Sequence, residues 1–374
     1  MASKIFMGDM PELMENILKN LNNDIHSLHS CAIVSRHWSK MSIPILWQDP
    51  FSFDRGFSFI SIYFSSLGED EKSALKECLE EEKCQINIEF SKTLFEYTKF
   101  LKVLNLYTVE KKVEKCLRAK SKSYTLVTSM NFIINLLFKL FIENGATLDK
   151  LVVYFSDSLK LKPEIFYLLE QNMEFISRLQ YLSLSEVASS NIESATTLLR
   201  TLAKYATKIK ALILAYDSYK TQFFHALIHD IIQIIQSQEQ LRLIKIDGIK
   251  EPSEFHGIIS ALESQKNSLQ EAVIENCGLS AGFEILKNCK NLDTFRIRGC
   301  DIKQLKILNC KFGTLEIVSK YRDVRTTIQI LKISGLMLKR LKLSLSSRLQ
   351  IDEKDSILEL ETLKSFCPNI TYLA

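Results

Sequence analysis

His225 and His229 stand four residues apart in a stretch with helical periodicity, a spacing that puts two imidazoles on one helix face and suits a metal ion. No third or fourth ligand is evident beside them, so a surface or half-buried pair is the simpler reading. His26, His29 and His37 lie close together near the start without a recognisable site. The nine cysteines form no C-x-x-C pair, which fits free thiols in a reducing cytosol or nucleus and argues against a disulfide framework or a zinc knuckle. The phosphate loops G-x-x-x-x-G-K-[ST] and G-x-G-x-x-G are missing, as are H-E-x-x-H and G-x-S-x-G. The expectation is a non-enzyme with no catalytic residues, no metal and no cofactor. Asn369-Ile370-Thr371 is a glycosylation sequon that matters only in a secreted chain. The chemistry left is that of recognition: tryptophans, tyrosines and arginines at regular spacing.

Those residues need elements to hold them. The chain has 374 residues, 46% hydrophobic and 25% charged, enough for a core and too long for one ordinary domain. A net charge of +4 gives no reason to expect nucleic acid. The opening residues lead into a helix signal with no apolar leader, and Tyr124 to Ile142, the most apolar stretch, carries too many polar residues for a membrane span. That stretch reads as a buried core helix. Asp9 and Glu12 form a capping-box-like start, with Pro11 in the first turn. Leu13, Ile17, Leu18 and Leu21 make one apolar stripe, Ile25, Leu28, Cys31 and Ala32 a second, and Val34, Trp38 and Met41 a third that Pro44 stops. Three short helices bury little by themselves, so this segment is either a helical cap on the next domain or a docking module.

The ordered set Met10-Pro11-Glu12-Leu13, Ile17-Leu18-x-x-Leu21, Leu28, Val34-Ser35-Arg36-x-Trp38 and Pro44-x-Leu46-Trp47 resembles an F-box. Met10 replaces the usual Leu, one residue is missing between Pro11 and Ile17, and Ser35 stands where Cys is common. The resemblance covers residues 8 to 50 and implies docking on a Skp-type adaptor, which joins cullin and RING subunits in a ubiquitin ligase. Contact is expected from Pro11, Ile17, Leu18, Leu21 and Leu28. Val34, Trp38 and Trp47 either join them or pack the module itself.

Further along, the template Leu-x-x-Leu-x-Leu recurs. It reads Leu179-x-x-Leu182-x-Leu184, Ile209-x-x-Leu212-x-Leu214, Leu241-x-x-Ile244-x-Ile246, Leu269-x-x-Ala272-x-Ile274-x-x-Cys277 and Leu292-x-x-Phe295-x-Ile297-x-x-Cys300. Phe312-x-x-Leu315-x-Ile317, Leu338-x-x-Leu341-x-Leu343 and a partial Ile370-x-x-Leu373 come next, and Leu101 and Leu148 begin earlier matches. From Leu148 to Ile370 the mean period is about 28 residues, with helical patterns between the runs. Ile302-x-x-Leu305-x-Ile307-x-x-Cys310 starts too soon after Leu292 and reads as a return segment. Strand then helix, repeated, with no unit able to bury its own faces, predicts a solenoid; ordinary α/β alternation is the rival reading. The template residues should point inward, with Cys277 and Cys300 serving the backbone of adjoining turns.

This pattern resembles leucine-rich repeats of the irregular kind found behind an F-box. The expected fold is α/β: an F-box over residues 1–50, a helical linker over 51–82, and a leucine-rich-repeat solenoid over 83–374, with clear repeats from about 148. Parallel strands would line the concave face and helices the convex one. Residues 69 to 83 read as a solvated helix or linker, and the lysine-rich stretch Glu110 to Ser123 as an exposed mobile insertion. Outward strand positions offer Tyr107, Tyr154, Tyr181 and Ile213, then Lys245, Arg296, Arg298, Arg340 and Lys342, interrupted by Glu271, Glu275 and Glu316. Aromatic and Arg side chains are common interface anchors, so Tyr181, Ile213, Lys245, Arg296, Arg298, Arg340 and Lys342 are the candidate substrate-binding residues. The expected function is the substrate-recognition subunit of an SCF-type E3 ubiquitin ligase, cytoplasmic or nuclear, acting on a protein target without nucleic acid or membrane. A non-ligase F-box scaffold and a small-ligand receptor are the alternatives.

Overall fold

A computed structural model of the chain describes residues 11–21, 24–53, 58–81, 84, 90, 93–119, 121, 126–216, 224–278, 281–307, 312–319, 323–345 and 353–374. Asp9, Met10, Lys120, Lys122, Ser123 and Cys310, each part of a sequence pattern above, lie outside them. The fold is α/β and divides into two compact units, Met1–Leu151 with Ser158–Arg178, and Val152–Asp157 with Leu179–Ala374. The divisions expected near residues 50 and 82 both fall inside the first unit. Among the described residues no helix is long and apolar enough to cross a membrane.

The first unit opens with three helices, α1 (Pro11–Asn20), α2 (Ile25–Val34) and α3 (Arg36–Leu46). Asp24 caps α2 by accepting the Ser27 N–H at 3.1 Å, and Ser35 caps α3 by accepting the Trp38 N–H at 3.3 Å. Helix α3 runs through Pro44 instead of stopping there, because a missing donor so near the end costs a single bond; Trp47 N–H still reaches the Ile43 carbonyl at 3.1 Å. Met14, Leu18, Leu28, Ile45 and Leu46 are buried. Two further helices are α4 (Ser58–Tyr63) and α5 (Glu69–Glu81), the latter burying Leu75 and Leu79.

After strand β1 (Val103–Asn105) comes α6 (Leu106–Arg118), where a mobile insertion was expected. Val109, Val113, Cys116 and Leu117 form a buried stripe at helical spacing. Lys111 and Arg118 pair with Glu114 on the solvent side at 3.1 and 2.8 Å. From Lys111 to Arg118 the charge run is therefore the wet face of an ordered amphipathic helix. The expected core helix is α7 (Val127–Glu143), with Ile133, Ile134, Leu137 and Phe141 fully enclosed. Its polar residues hold a neighbouring segment. Asn131 bonds the Ser158 carbonyl and the Lys160 N–H, and Asn135 bonds the Lys160 carbonyl and the Lys162 N–H, all at 2.7–2.8 Å. Helices α8 (Pro163–Gln171) and α9 (Glu174–Ser177) complete this unit. Strand β2 (Lys150–Phe155) crosses the division between units.

In the second unit, strands succeed one another in chain order: β3 (Tyr181–Val187), β4 (Ala211–Ala215), β5 (Leu243–Asp247), β6 (Glu271–Glu275), β7 (Thr294–Arg298), β8 (Thr314–Ser319), β9 (Arg340–Leu345) and β10 (Tyr372–Leu373). Each pairs with the next in parallel. The intervening helices α10 (Ile192–Tyr205), α11 (Phe224–Ser237), α12 (Pro252–Ala261), α13 (Val324–Ser334) and α14 (Glu353–Phe366) form a second layer, joined by 3-10 helices at Ala281–Asn288 and Ile302–Ile307. The latter is the return segment read from the sequence. One inward row is Leu182, Leu212, Ile244, Ala272, Phe295, Leu315 and Leu341, and these residues are at most 1% exposed. The first template residues, from Leu179 to Leu338, are buried with them.

Three strands turn the corner alike. Gly248, Asn276 and Gly299 each come after a strand with positive φ, and their N–H groups bond the carbonyls of Glu275, Arg298 and Val318. Beside this turn the Cys277 N–H donates to Cys300 Sγ at 3.3 Å, and Cys277 Sγ lies 3.0 Å from the Glu275 carbonyl. Both cysteines serve the turns, as their spacing predicted.

Candidate functional site

The period of two along each strand leaves every second side chain on the face opposite the helices. Register sets these outward residues in rows. One row is Lys245, Val273, Arg296, Glu316 and Lys342; a second is Asp247, Glu275, Arg298, Val318 and Ser344; a third ends in Arg340 and Tyr372. Lys245 Nζ lies 2.6 Å from Glu275, which also meets Arg298 at 3.1 Å. Arg298 reaches on to Glu316 at 3.0 Å, and Glu316 meets Lys342 at 3.1 Å. Arg296 pairs with Glu271 and lies 3.5 Å from Glu316. Five strands are thus linked by one chain of ion pairs.

The carboxylates sit deep in this chain. Glu275 and Glu316 are each 8% exposed, while the cations lie over them and keep part of their surface in water. Burial drives the Glu316 carboxyl upward, but its bonds from Arg298 and Lys342 outweigh this and hold it below the usual carboxylate range. The same contact with Glu316 raises Arg298. In the sequence Glu271, Glu275 and Glu316 read as interruptions; in the structure they are the hubs. Arg296, Arg298, Lys245 and Lys342 are correspondingly engaged with them. Arg340 has a different partner, the Tyr372 ring, 5.7 Å from its guanidinium carbon.

Towards β3 the outward face changes character. Tyr181, Ala211 and Leu243 share a row, as do Ser183, Ile213 and Lys245, so half-buried apolar groups border the charged zone. Tyr154 lies on β2 and is half-buried. Tyr107 is not on a strand at all; it projects from α6.

In the first unit the expected adaptor contacts separate into two sets. Leu18 and Leu28 are 0% and 1% exposed and belong to the core between the helices. Trp47 is buried against Tyr63 and Tyr97, ring centroids 5.3 and 4.3 Å away, and Trp38 and Leu21 are half-buried. Pro11 begins α1. Ile17 and Val34 are exposed, joined by Leu13 and Ile33, which were not among the expected contacts. A stripe at helical spacing identifies an apolar surface without saying which edge of it the neighbouring helices cover, so Leu13 and Ile33 carried no signal of their own.

The histidine pair does not converge. His225 Nδ1 lies against the carboxylate of Glu254, a buried group whose pKa burial raises, and His229 bonds Gln233 at 2.9 Å. Among the described residues no three His, Cys, Asp or Glu side chains gather as a metal site. The chain matches no family model and no curated protein.

Proposed function

We propose that this chain is the substrate-recognition subunit of an SCF-type E3 ubiquitin ligase, working in the cytoplasm or nucleus. In this reading the three N-terminal helices are an F-box that docks a Skp-type adaptor, and through it cullin and RING subunits. The second unit is an irregular leucine-rich-repeat array whose outward strand face holds a protein target. The observation that carries the reading is the in-register inward row from Leu182 to Leu341, which frees the opposite face for a composite of aromatic, aliphatic and paired charged groups. The role is positional: holding a target lysine near a charged E2 raises effective concentration, and the bond chemistry occurs on other subunits.

The exposed residues Leu13, Ile17, Ile33 and Val34 are the natural adaptor contacts, with Leu18 and Leu28 holding the helices that present them. The double substitution Leu13→Asp with Ile17→Asp should therefore abolish co-purification with a purified Skp-type adaptor and leave the thermal melt unchanged. Leu18→Asp should lower the melt itself, because it buries a charge with no partner. Full adaptor binding by the Leu13→Asp, Ile17→Asp chain would overturn the assignment. On the sheet, Arg340→Glu with Ile213→Lys is the informative change for target capture, since reversing Arg296 or Arg298 also breaks the ion-pair chain.

A further inference from the structure

We propose that the groove among α5, α7 and α8, within the first unit, is a docking site for a basic amphipathic helix of a partner protein. The cavity measures about 700 Å³, within the size range of specific binding sites. Its floor is apolar, formed by Leu136 and Ile165, both buried, with Phe132 and Leu168 beside them. Asn135 lies there too, but its amide is spent on the backbone of residues 160 and 162, so the floor makes no polar demand on an occupant.

The rim is acidic. Asp70, Glu71, Glu143 and Glu164 line it against two cations, Lys139 and Lys162. Lys139 Nζ is held 2.5 Å from Glu71, and Lys162 lies over the Phe132 ring at 5.8 Å. Glu143 and Glu164 are exposed. An occupant must bring an apolar ridge for the floor and positive charge for the rim. The walls are helices whose backbone groups are bonded internally, so an extended strand would find no ladder partner; a helix satisfies its own backbone before it arrives. Lys or Arg flanking apolar residues at i, i+4 and i+7 meets all three conditions. The site uses neither the exposed residues of α1 and α2 nor the strand face, and stands or falls independently of the ligase reading.

The test uses the full chain and a fluorescein-labelled peptide of two Leu-Lys-Lys-Leu-Leu-Lys-Leu repeats, read by anisotropy. The expected result is saturable binding that weakens at least about tenfold in the Glu143→Lys, Glu164→Lys chain and stays within about twofold in a Glu193→Lys, Glu284→Lys control, with a matching loss as salt rises. The same peptide with Glu in place of Lys should not bind. Hydrogen exchange on the unaltered chain should show peptide-induced protection in residues 132–143 and 163–168. Absence of saturable binding, equal binding of the Glu peptide, equal loss in the control chain, or protection confined to other segments would each overturn the proposal.

Discussion

Glu316 shows how one side chain acquires its role from neighbours far away in sequence. It accepts from Arg298 and Lys342 and lies near Arg296, on strands to either side of its own. Because these contacts hold its folded carboxyl below the ordinary value, the stabilisation is complete above the unfolded pKa and is lost as pH falls through the folded one. Glu316→Gln should thus cost about 1–3 kcal/mol at neutral pH, with the difference shrinking under acid conditions. Urea unfolding midpoints of the two chains, taken at pH 7 and in acid, measure this. A pH-independent difference would mean that shape, and not charge, makes the contribution. The buried thiols show the opposite influence: burial above all pushes Cys277 up to about 12 and Cys300 up to about 11, so both are structural sulfur and not nucleophiles.

At the scale of elements, the repeated corner after β5, β6 and β7 matters most. Each uses a residue with positive φ whose N–H bonds the next strand's end, which locks one repeat to its successor. Gly248 allows the closest approach: a Cβ there would lie 1.9 Å from the Tyr216 carbonyl oxygen. Gly248→Ala combines that clash with left-handed strain and should destabilise the second unit by roughly 2 kcal/mol or more, seen as a lowered melting temperature. An unchanged melt would show that the corner relaxes freely. Helix α6 carries a different lesson. Its buried stripe at Val109, Val113, Cys116 and Leu117 is present in the sequence, but six cations between Lys111 and Lys122 mask it. Charge density describes the wet face of a helix and is silent about the dry one.

The whole chain comprises a largely helical first unit and a second in which strand and helix layers are extended by neighbour-to-neighbour contacts. Such arrays hold their inner units by two neighbours and their end units by one. Amide exchange should therefore be slowest in β5 to β8 and fastest in β10, whose two residues are exposed; uniform protection across the strands would contradict a stacked array. Sequence alone determined the strand sites, the inward residues, the return segment at Ile302 and the turn-serving cysteines, because each arises from a local period or spacing. It also located the N-terminal helices, but it grouped Val34 with Trp38 and Met41 on the third, whereas Val34 ends α2 and Ser35 caps α3. Tertiary structure alone decided that Leu18 is core while Leu13 and Ile17 are surface, that Glu316 is a hub, and that α5, α7 and α8 enclose a groove. Those outcomes depend on which strand registers beside which and which helix covers which edge, pairings between residues tens of positions apart that no local period encodes.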